Sequence, residues 1–176
     1  EKGVERAMNK IKELCTDPKG GCVFWSAGAQ PPELLMSGEV VMATGWNGRF
    51  FNAIVGEGAP LVQVWDGQGL DYEYFVQVKG GPNDANGMAK KALAMMTSTE
   101  MLAGSAKYIA YAPWRKSSIA IMEAGEPWYK DGKTNMVPQM PTAPANTKNY
   151  FLVDPLYWAD NGTELGEKWE AMKAGL

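Results

Sequence analysis

The side chains that could do chemistry in this sequence are carboxylates, aromatic rings and two cysteines, because none of the 176 residues is histidine. The sequence therefore lacks Ser-His and Cys-His nucleophile pairs, the usual acid or base at neutral pH and the commonest metal ligand. Aspartate and glutamate can act as acid and base alone, but they form no paired-carboxylate motif in a recognised setting. We expect no enzyme, no metal site and no cofactor, with a carboxylate-using hydrolase as the alternative from a different class.

The two cysteines could form a disulfide bond. Cys15 and Cys22 enclose Thr-Asp-Pro-Lys-Gly-Gly, a segment typical of a turn, which can bring two sulfur atoms together in an oxidising compartment. The alternative is two unpaired thiols, at the end of a helix and the start of a strand. Both interpretations stay open, whereas two ligands without histidine do not favour a structural zinc site.

Composition excludes several partners. No run approaches the roughly 18 apolar residues of a membrane span. The net charge is −3 and the pI about 5.1, with lysines and arginines scattered, so no nucleic-acid partner is expected. The chain opens at Glu1 without methionine or a leader, so we expect the start of the natural gene product to be absent.

Hydrophobic spacing predicts alternating helices and strands. Helices are predicted over 1–14, 31–36, 47–55, 85–96, from a capping box at Thr97 to Glu100 onward, and over the last 20 residues. Strands are predicted over 22–25, 40–43, 61–65 and 72–78, and extended connections over the proline-rich segment 113–149.

This alternation predicts an α/β fold with a largely parallel sheet. Ligand crevices in such sheets lie beyond the carboxyl ends of the strands. Ser26 and Trp46 each come just after a predicted strand. Both are therefore candidate site residues.

An ordered set of short motifs points to a family. The segment from Leu35 to Arg49 combines a Ser-Gly-Glu-Val turn with Trp-Asn-Gly. It is followed by Gly-Ala-Pro at 58–60, Val-Lys-Gly-Gly-Pro-Asn at 78–83, Thr-Ser-Thr-Glu at 97–100, Tyr-Ala-Pro at 111–113 and Trp-Glu-Ala-Met-Lys-Ala-Gly at 169–175. In order and spacing this set resembles the periplasmic spermidine/putrescine-binding proteins. The resemblance covers about residues 20–176, but only the carboxyl-terminal half of a family member.

The resemblance implies a two-lobed periplasmic-binding-protein fold that clamps its ligand between the lobes. Residues 1–70 and 121–176 would form part of the second lobe, and 71–120 would return to the first. The amino-terminal half of the family fold would be absent. Hinges would lie near Asp71 and Ser118.

The implied function is the substrate-binding component of an ABC importer, which captures a putrescine- or spermidine-like polyamine in the periplasm and delivers it to a membrane permease. The alternative is another small organic solute. A third hypothesis is an interaction module or a fragment with no activity of its own. Without its amino-terminal half, the piece is also expected to self-associate.

A polyamine site needs aromatic walls for the methylenes and carboxylates for the ammonium groups. Trp46 and Tyr111 match cleft aromatics of the family, against the alternative of core packing. Tyr72 falls at an aromatic position of the family. Tyr74 falls at the family's carboxylate position, and only a one-residue shift gives that role to Glu73. Strand alternation places both tyrosines on one face and Glu73 on the other.

Three more residues complete the candidate ligand-binding set. Asp154 is a polar contact by resemblance, or else the cap of the last helix. Ser26 and Gln30 flank a loop that faces the cleft in the family, or are ordinary loop residues. The remaining tryptophans are assigned to packing: Trp25, Trp65, Trp114, Trp128, Trp158 and Trp169.

Overall fold

The computed structural model describes residues 2–82, 84 and 86–176. Seven α-helices lie in this part of the chain: α1 Lys2–Cys15, α2 Gln30–Met36, α3 Asn47–Phe51, α4 Met88–Met96, α5 Thr99–Ser105, α6 Lys116–Ala124 and α7 Pro155–Ala174. A π-helical turn, Asn52–Gly56, continues α3, and a 3-10 turn spans Val137–Gln139. Two short strands, β1 Gln68–Leu70 and β2 Tyr150–Leu152, pair in parallel with Gly69 opposite Phe151.

The chain divides into two compact units. Glu1–Ser26 together with Val153–Leu176 form the first, here called the stapled unit, and Ala27–Leu152 form the second, here called the core unit. These boundaries differ from the lobe boundaries expected near residues 70 and 120. The lobe division stays a prediction.

A disulfide bond closes the turn of the stapled unit. Cys15 and Cys22 are joined, with their Cα atoms 4.8 Å apart, so the paired interpretation of the two cysteines is confirmed. The ring of Phe24 meets that of Trp169 edge-on at 5.4 Å, and Met172 on the same helix is buried. This agrees with the helix predicted over the last 20 residues from hydrophobic spacing.

The core unit is built around helices α5 and α6. Its buried cluster is rich in alanine and methionine and consists of Phe51, Ala103, Ala106, Ala110, Met122, Tyr129, Met136 and Met140. Ser118, inside α6, is fully buried and its hydroxyl donates to the Thr99 carbonyl at 2.8 Å. The indole of Trp128 donates to the Ala103 carbonyl at 2.7 Å. These bonds connect the two helices and the loop that follows α6.

A carboxylate organises the loop beyond α6. Glu126 is half-buried, and its oxygens accept hydrogen bonds from the backbone amides of Trp128, Met136 and Val137 at 2.8 to 3.1 Å. The bonds tie residues ten positions apart to one side chain. Because buried amides need partners, this carboxylate helps to seat Met136 in the core.

Several sequence predictions for helices are confirmed. Helices α1, α2, α3 with its π-helical continuation, and α7 lie where hydrophobic spacing placed them. Helix α4 begins at Met88. Glu1 and Ala85, which belong to predicted helices, and Asn83, which belongs to the motif at 78–83, lie outside the described residues.

The capping box predicted at Thr97 is wrong by one residue. Ser98 is the N-cap of α5, and its hydroxyl accepts from the Met101 amide at 3.3 Å. The Thr97 hydroxyl instead donates to the Leu93 carbonyl of α4 at 2.8 Å. Glu100 is therefore not at the N3 position that the capping box requires.

The predicted strands 22–25, 40–43, 61–65 and 72–78 are wrong as paired strands, since β1 and β2 are the strands of the described part of the chain. Residue type predicts a fit to a pleated surface, but a strand also needs a partner to complete its ladder. Val62 and Val64 keep the alternation of a strand and are 88% and 77% exposed. The alternation typical of a strand is therefore present in this segment, but no strand of the described part of the chain pairs with it.

The prediction of extended connections throughout 113–149 is also wrong in part. Helix α6 occupies Lys116–Ala124. The prolines that suggested extended backbone lie outside those nine residues. Ser118 and Met122, four positions apart, both face the core.

Candidate functional site

The first turn of α3 holds two of the predicted cleft aromatics. Trp46 occupies the N-cap position with an extended backbone. The Asn47 side chain donates to the Ala110 carbonyl at 2.6 Å, which fixes the chain just before Tyr111. A Cβ built on Gly48 would lie 2.7 Å from the Tyr111 ring. Only glycine permits this close approach.

A second glycine lets the Trp46 ring lie against the loop before α2. A Cβ on Gly28 would lie 2.4 Å from the Trp46 ring and 3.5 Å from Nε of Arg49. The indole and the guanidinium of Arg49 therefore share the space above this glycine. The loop is shaped by Gln30, whose side-chain oxygen accepts from the Ala27 amide at 2.8 Å.

Tyr72, Tyr74 and Trp114 form a group of exposed rings, here called the aromatic cluster. The Tyr72 ring centroid lies 4.8 Å from that of Trp114, and the Tyr74 centroid lies 5.9 Å away. Two residues apart on an extended segment, both tyrosines contact the same tryptophan, as their spacing predicts. Trp114 is 55% exposed, which is unusual for a ring with only a packing role.

Two opposite charges act on the phenol of Tyr111. Partial burial raises the pKa of Tyr111 above its ordinary value of 10.0, the Arg49 charge lowers it, and the Glu73 charge raises it. The phenol therefore stays protonated at neutral pH and can both donate and accept a hydrogen bond. Arg49 directly follows Gly48, against which the Tyr111 ring lies.

The structure places the predicted residues in two groups. Trp46, Tyr72, Glu73, Tyr74, Tyr111 and Gln30 belong to the core unit, whereas Ser26 and Asp154 belong to the stapled unit. Asp154 caps α7, since its carboxylate accepts from the Leu156 and Tyr157 amides at 3.0 and 3.2 Å. The capping alternative is thus realised for Asp154.

Sequence reasoning missed Trp114 and Arg49. Trp114 was assigned to packing, but its position directly after Tyr-Ala-Pro places it beside an expected cleft residue. Arg49 directly follows the Trp-Asn-Gly motif. In both cases, nearness to a motif residue was the signal available.

The enclosed depressions of the surface lie elsewhere. One of about 250 Å³ is bordered by Phe51, Leu61 and Trp65, and a wider one runs along α1. Neither includes the aromatic cluster.

Within residues 2–82, 84 and 86–176, no three cysteine or carboxylate side chains come together in a way that could hold a metal ion. No helix in the same part of the chain is long and apolar enough to cross a membrane.

The family is shown by sequence comparison. Residues 1–141 match the family model described as bacterial extracellular solute-binding protein, and the chain belongs to this family. A gamma-aminobutyric acid-binding protein from Pseudomonas aeruginosa is 37% identical over 172 residues, covering 98% of this chain and 44% of that protein. The chain thus spans less than half the length of this relative.

Solved structures show the same fold. An ABC transporter substrate-binding protein from Bradyrhizobium japonicum matches with a TM-score of 0.71 and 25% identity, over 96% of this chain and 48% of that one. The PBP MotA from A. tumefaciens, solved in complex with glucopine, matches with a TM-score of 0.74 and 24% identity, over 98% and 49%. The periplasmic-binding-protein fold class predicted from sequence is confirmed. The family prediction is confirmed for extracellular solute-binding proteins as a whole, and none of these relatives is named for a polyamine.

Proposed function

We propose that this chain is part of the substrate-binding component of an ABC importer and captures a small organic solute that carries an ammonium group. The observation that carries the proposal is the group of exposed rings formed by Tyr72, Tyr74 and Trp114, in a chain that belongs to the extracellular solute-binding family. Glu73 lies between the two tyrosines in the sequence. Aromatic faces suit methylene groups and cations, and a carboxylate suits an ammonium.

The ligand contacts in this proposal are Trp46, Tyr72, Glu73, Tyr74 and Tyr111, with Trp114 added from the structure. Gln30 shapes the loop below the Trp46 ring. Ser26 and Asp154 remain predicted contacts, and the hydrogen bonds of Asp154 to α7 account for its position without a ligand.

Two ligand chemistries are candidates. Gamma-aminobutyric acid is favoured by the 37% identical relative that is named for it. A polyamine such as putrescine or spermidine is favoured by aromatic walls beside a carboxylate, which suit an alkyl chain with terminal ammonium groups. We expect either ligand to be bound and released unchanged, because the proposal assigns no catalytic group.

Calorimetric titration of the full-length gene product that carries this chain tests the proposal. We expect heat of binding with gamma-aminobutyric acid or putrescine, and about 10-fold weaker binding by the Trp46→Ala variant. Trp169→Ala is the matched control, since this tryptophan contacts Phe24 in the stapled unit. No binding of either compound, or equal loss in both variants, would contradict the proposal.

The proposed partner is a membrane permease, and the proposed location is the periplasm. The family name and the paired cysteines support an oxidising, extracytoplasmic compartment. Fractionation of cells that express the full-length product should recover it outside the cytoplasm with Cys15 and Cys22 bridged. Recovery in the cytoplasm with two free thiols would contradict this location.

Self-association of this chain by itself is a further expectation. Val62, Val64, Val76 and Val78 are at least 75% exposed, on segments that are predicted as strands but pair with no strand of the described part of the chain. Apolar strand-like segments without a partner favour pairing with another copy. Gel filtration at increasing concentration should show a shift to larger species, and a monomer at every concentration would contradict the expectation.

A further inference from the structure

Arg49 is held at the candidate site by the same features that hold Trp46. Its Nε lies 3.5 Å from the position that a Cβ on Gly28 would take, and the Trp46 ring occupies the neighbouring space. The side chain of Arg49 is exposed. The absence of a side chain at Gly28 thus leaves room for a ring and a guanidinium side by side.

Among the described residues, the guanidinium of Arg49 takes part in no ion pair. In the described part of the chain, the ion pairs involve lysines of α1 and α7: Lys10 with Glu13, Lys168 with Glu164 and Lys173 with Glu170. By contrast, the side chain of Arg115 donates to the Thr97 carbonyl at 2.6 Å and has a structural role. Arg49 therefore has charge and donors available for a ligand.

Arg49 and Glu73 carry opposite charges, and both act on the aromatic side chain of Tyr111. Glu73 lies between the two tyrosines of the aromatic cluster in sequence. A ligand that lies against Tyr111 would therefore be exposed to one positive and one negative charge. A ligand with an ammonium at each end would meet repulsion at Arg49, whereas a zwitterion would match both charges.

We propose that Arg49 binds the carboxylate of the ligand while Glu73 binds its ammonium, so that the site selects an ω-amino acid over a diamine. Guanidinium suits this role because its planar fork matches a carboxylate with two hydrogen bonds. The methylene chain between the two charged groups would lie against the aromatic rings. This inference rests on the proposed function and assigns its ligand class.

Three four-carbon compounds test the effects of the ammonium and the carboxylate of the ligand individually. Gamma-aminobutyric acid carries both charges, putrescine carries two ammonium groups, and n-butylamine carries one ammonium alone. Titration of the full-length product should show the tightest binding for gamma-aminobutyric acid, weaker binding for n-butylamine and the weakest binding for putrescine. The Arg49→Gln variant should bind gamma-aminobutyric acid about 10- to 100-fold more weakly, with unchanged n-butylamine binding and tighter putrescine binding.

Two further variants and a control complete the test. Arg49→Lys should lose less gamma-aminobutyric acid affinity than Arg49→Gln, since it keeps the charge and loses the fork. Glu73→Gln should weaken binding of all three amines. Arg6→Gln removes the same charge from α1 and should leave every affinity unchanged.

The outcomes distinguish the inference from the function on which it rests. If no probe binds the parent, the proposed function fails. If an amine binds but Arg49→Gln changes gamma-aminobutyric acid, n-butylamine and putrescine by the same factor, the proposed function stands and the role of Arg49 is wrong. Loss confined to gamma-aminobutyric acid supports the inference, and thermal unfolding of each variant confirms that it is folded.

Discussion

The buried centre of the core unit and its candidate site use different residues. Alanine and methionine dominate the centre, where Ala110, Met122 and Met136 are fully buried. Aromatic rings dominate the site, where Trp46 and Trp114 are each 55% exposed. Methionine fills irregular spaces well, whereas an exposed, supported ring gives up burial that would have stabilised the fold.

This difference indicates that one set of residues serves stability and another set serves binding. The core residues are enclosed by helices α5 and α6 and by the loop that Glu126 organises. Among the site rings, Tyr72 and Tyr74 contact Trp114, and the rings of Trp46 and Tyr111 lie close to Gly28 and Gly48. We therefore expect substitutions in the core to change the free energy of unfolding and substitutions at the site to change affinity.

The largest expected effect is that of shortening a core methionine. Met122→Ala should lower the free energy of unfolding by about 2 to 5 kcal/mol, because it leaves a cavity beside α5. Trp114→Ala should lower it by less than about 1 kcal/mol, since that ring is half exposed. Chemical denaturation measures both. An equal loss in the two variants would show that Trp114 is a packing residue and break the comparison.

A smaller difference in the free energy of unfolding is expected between substitutions of two carboxylates, Glu126 beside the core and Glu73 at the site. Glu126→Gln should cost about 1 to 3 kcal/mol, because an amide cannot accept from all of the backbone amides that the carboxylate serves. Glu73→Gln, at the site, should change the free energy of unfolding by less than about 0.5 kcal/mol. A larger loss from Glu73→Gln would assign this residue to stability.

The start of α5 sharpens the comparison at the edge of the core. Ser98→Ala should cost about 1 kcal/mol, because the hydroxyl caps the Met101 amide. Thr97→Ala should cost less, since its hydroxyl only donates back to a carbonyl of α4. Denaturant melts of the two variants decide the cap. A larger loss in the free energy of unfolding for Thr97→Ala than for Ser98→Ala would support the capping box predicted at Thr97.

The smallest effect is expected at low pH, in an exposed turn outside both regions. The backbone amides of Thr134 and Lys133, and then the Thr134 hydroxyl, hold the pKa of Asp131 below its ordinary value of 3.8. Its contribution to stability is present above pH 3.8 and is lost as the pH falls through the lowered pKa.

Thermal unfolding of Asp131→Asn tests this effect. The difference in melting temperature between the parent and Asp131→Asn should shrink as the pH falls from about 6 to about 2.5. A constant difference across that range would mean that the carboxylate charge does not contribute.

Local signals allowed much of the helical part of the fold to be predicted. Pro31 and Pro32 mark the first turn of α2, and Asp154 before Pro155 marks the start of α7. Such signals act within a few residues and do not depend on distant partners. The short Cys15 to Cys22 separation likewise made a disulfide possible, although sequence left the thiol alternative open.

The candidate site was predicted less completely. Motif order and alternation led to the prediction of Trp46, Tyr111 and the two tyrosines of the aromatic cluster, which stays a prediction. Trp114 was not predicted, because its role depends on contact with Tyr72 and Tyr74, about 40 residues away in the chain. The role proposed for Arg49 depends on its electrostatic effect on Tyr111. The sequence does not show this effect.

The sequence by itself therefore determined the broad solute-binding family and the helices with local caps, and it supplied most of the aromatic residues of the proposed site. Only the tertiary structure decided which extended segments pair as strands, which hydroxyl caps α5, and which charges act on Tyr111. The physical reason is the range of the interaction. Caps and amphipathic faces depend on residues within one or two turns, whereas ladder partners, ring contacts and electrostatic fields depend on residues that meet only after the chain has folded.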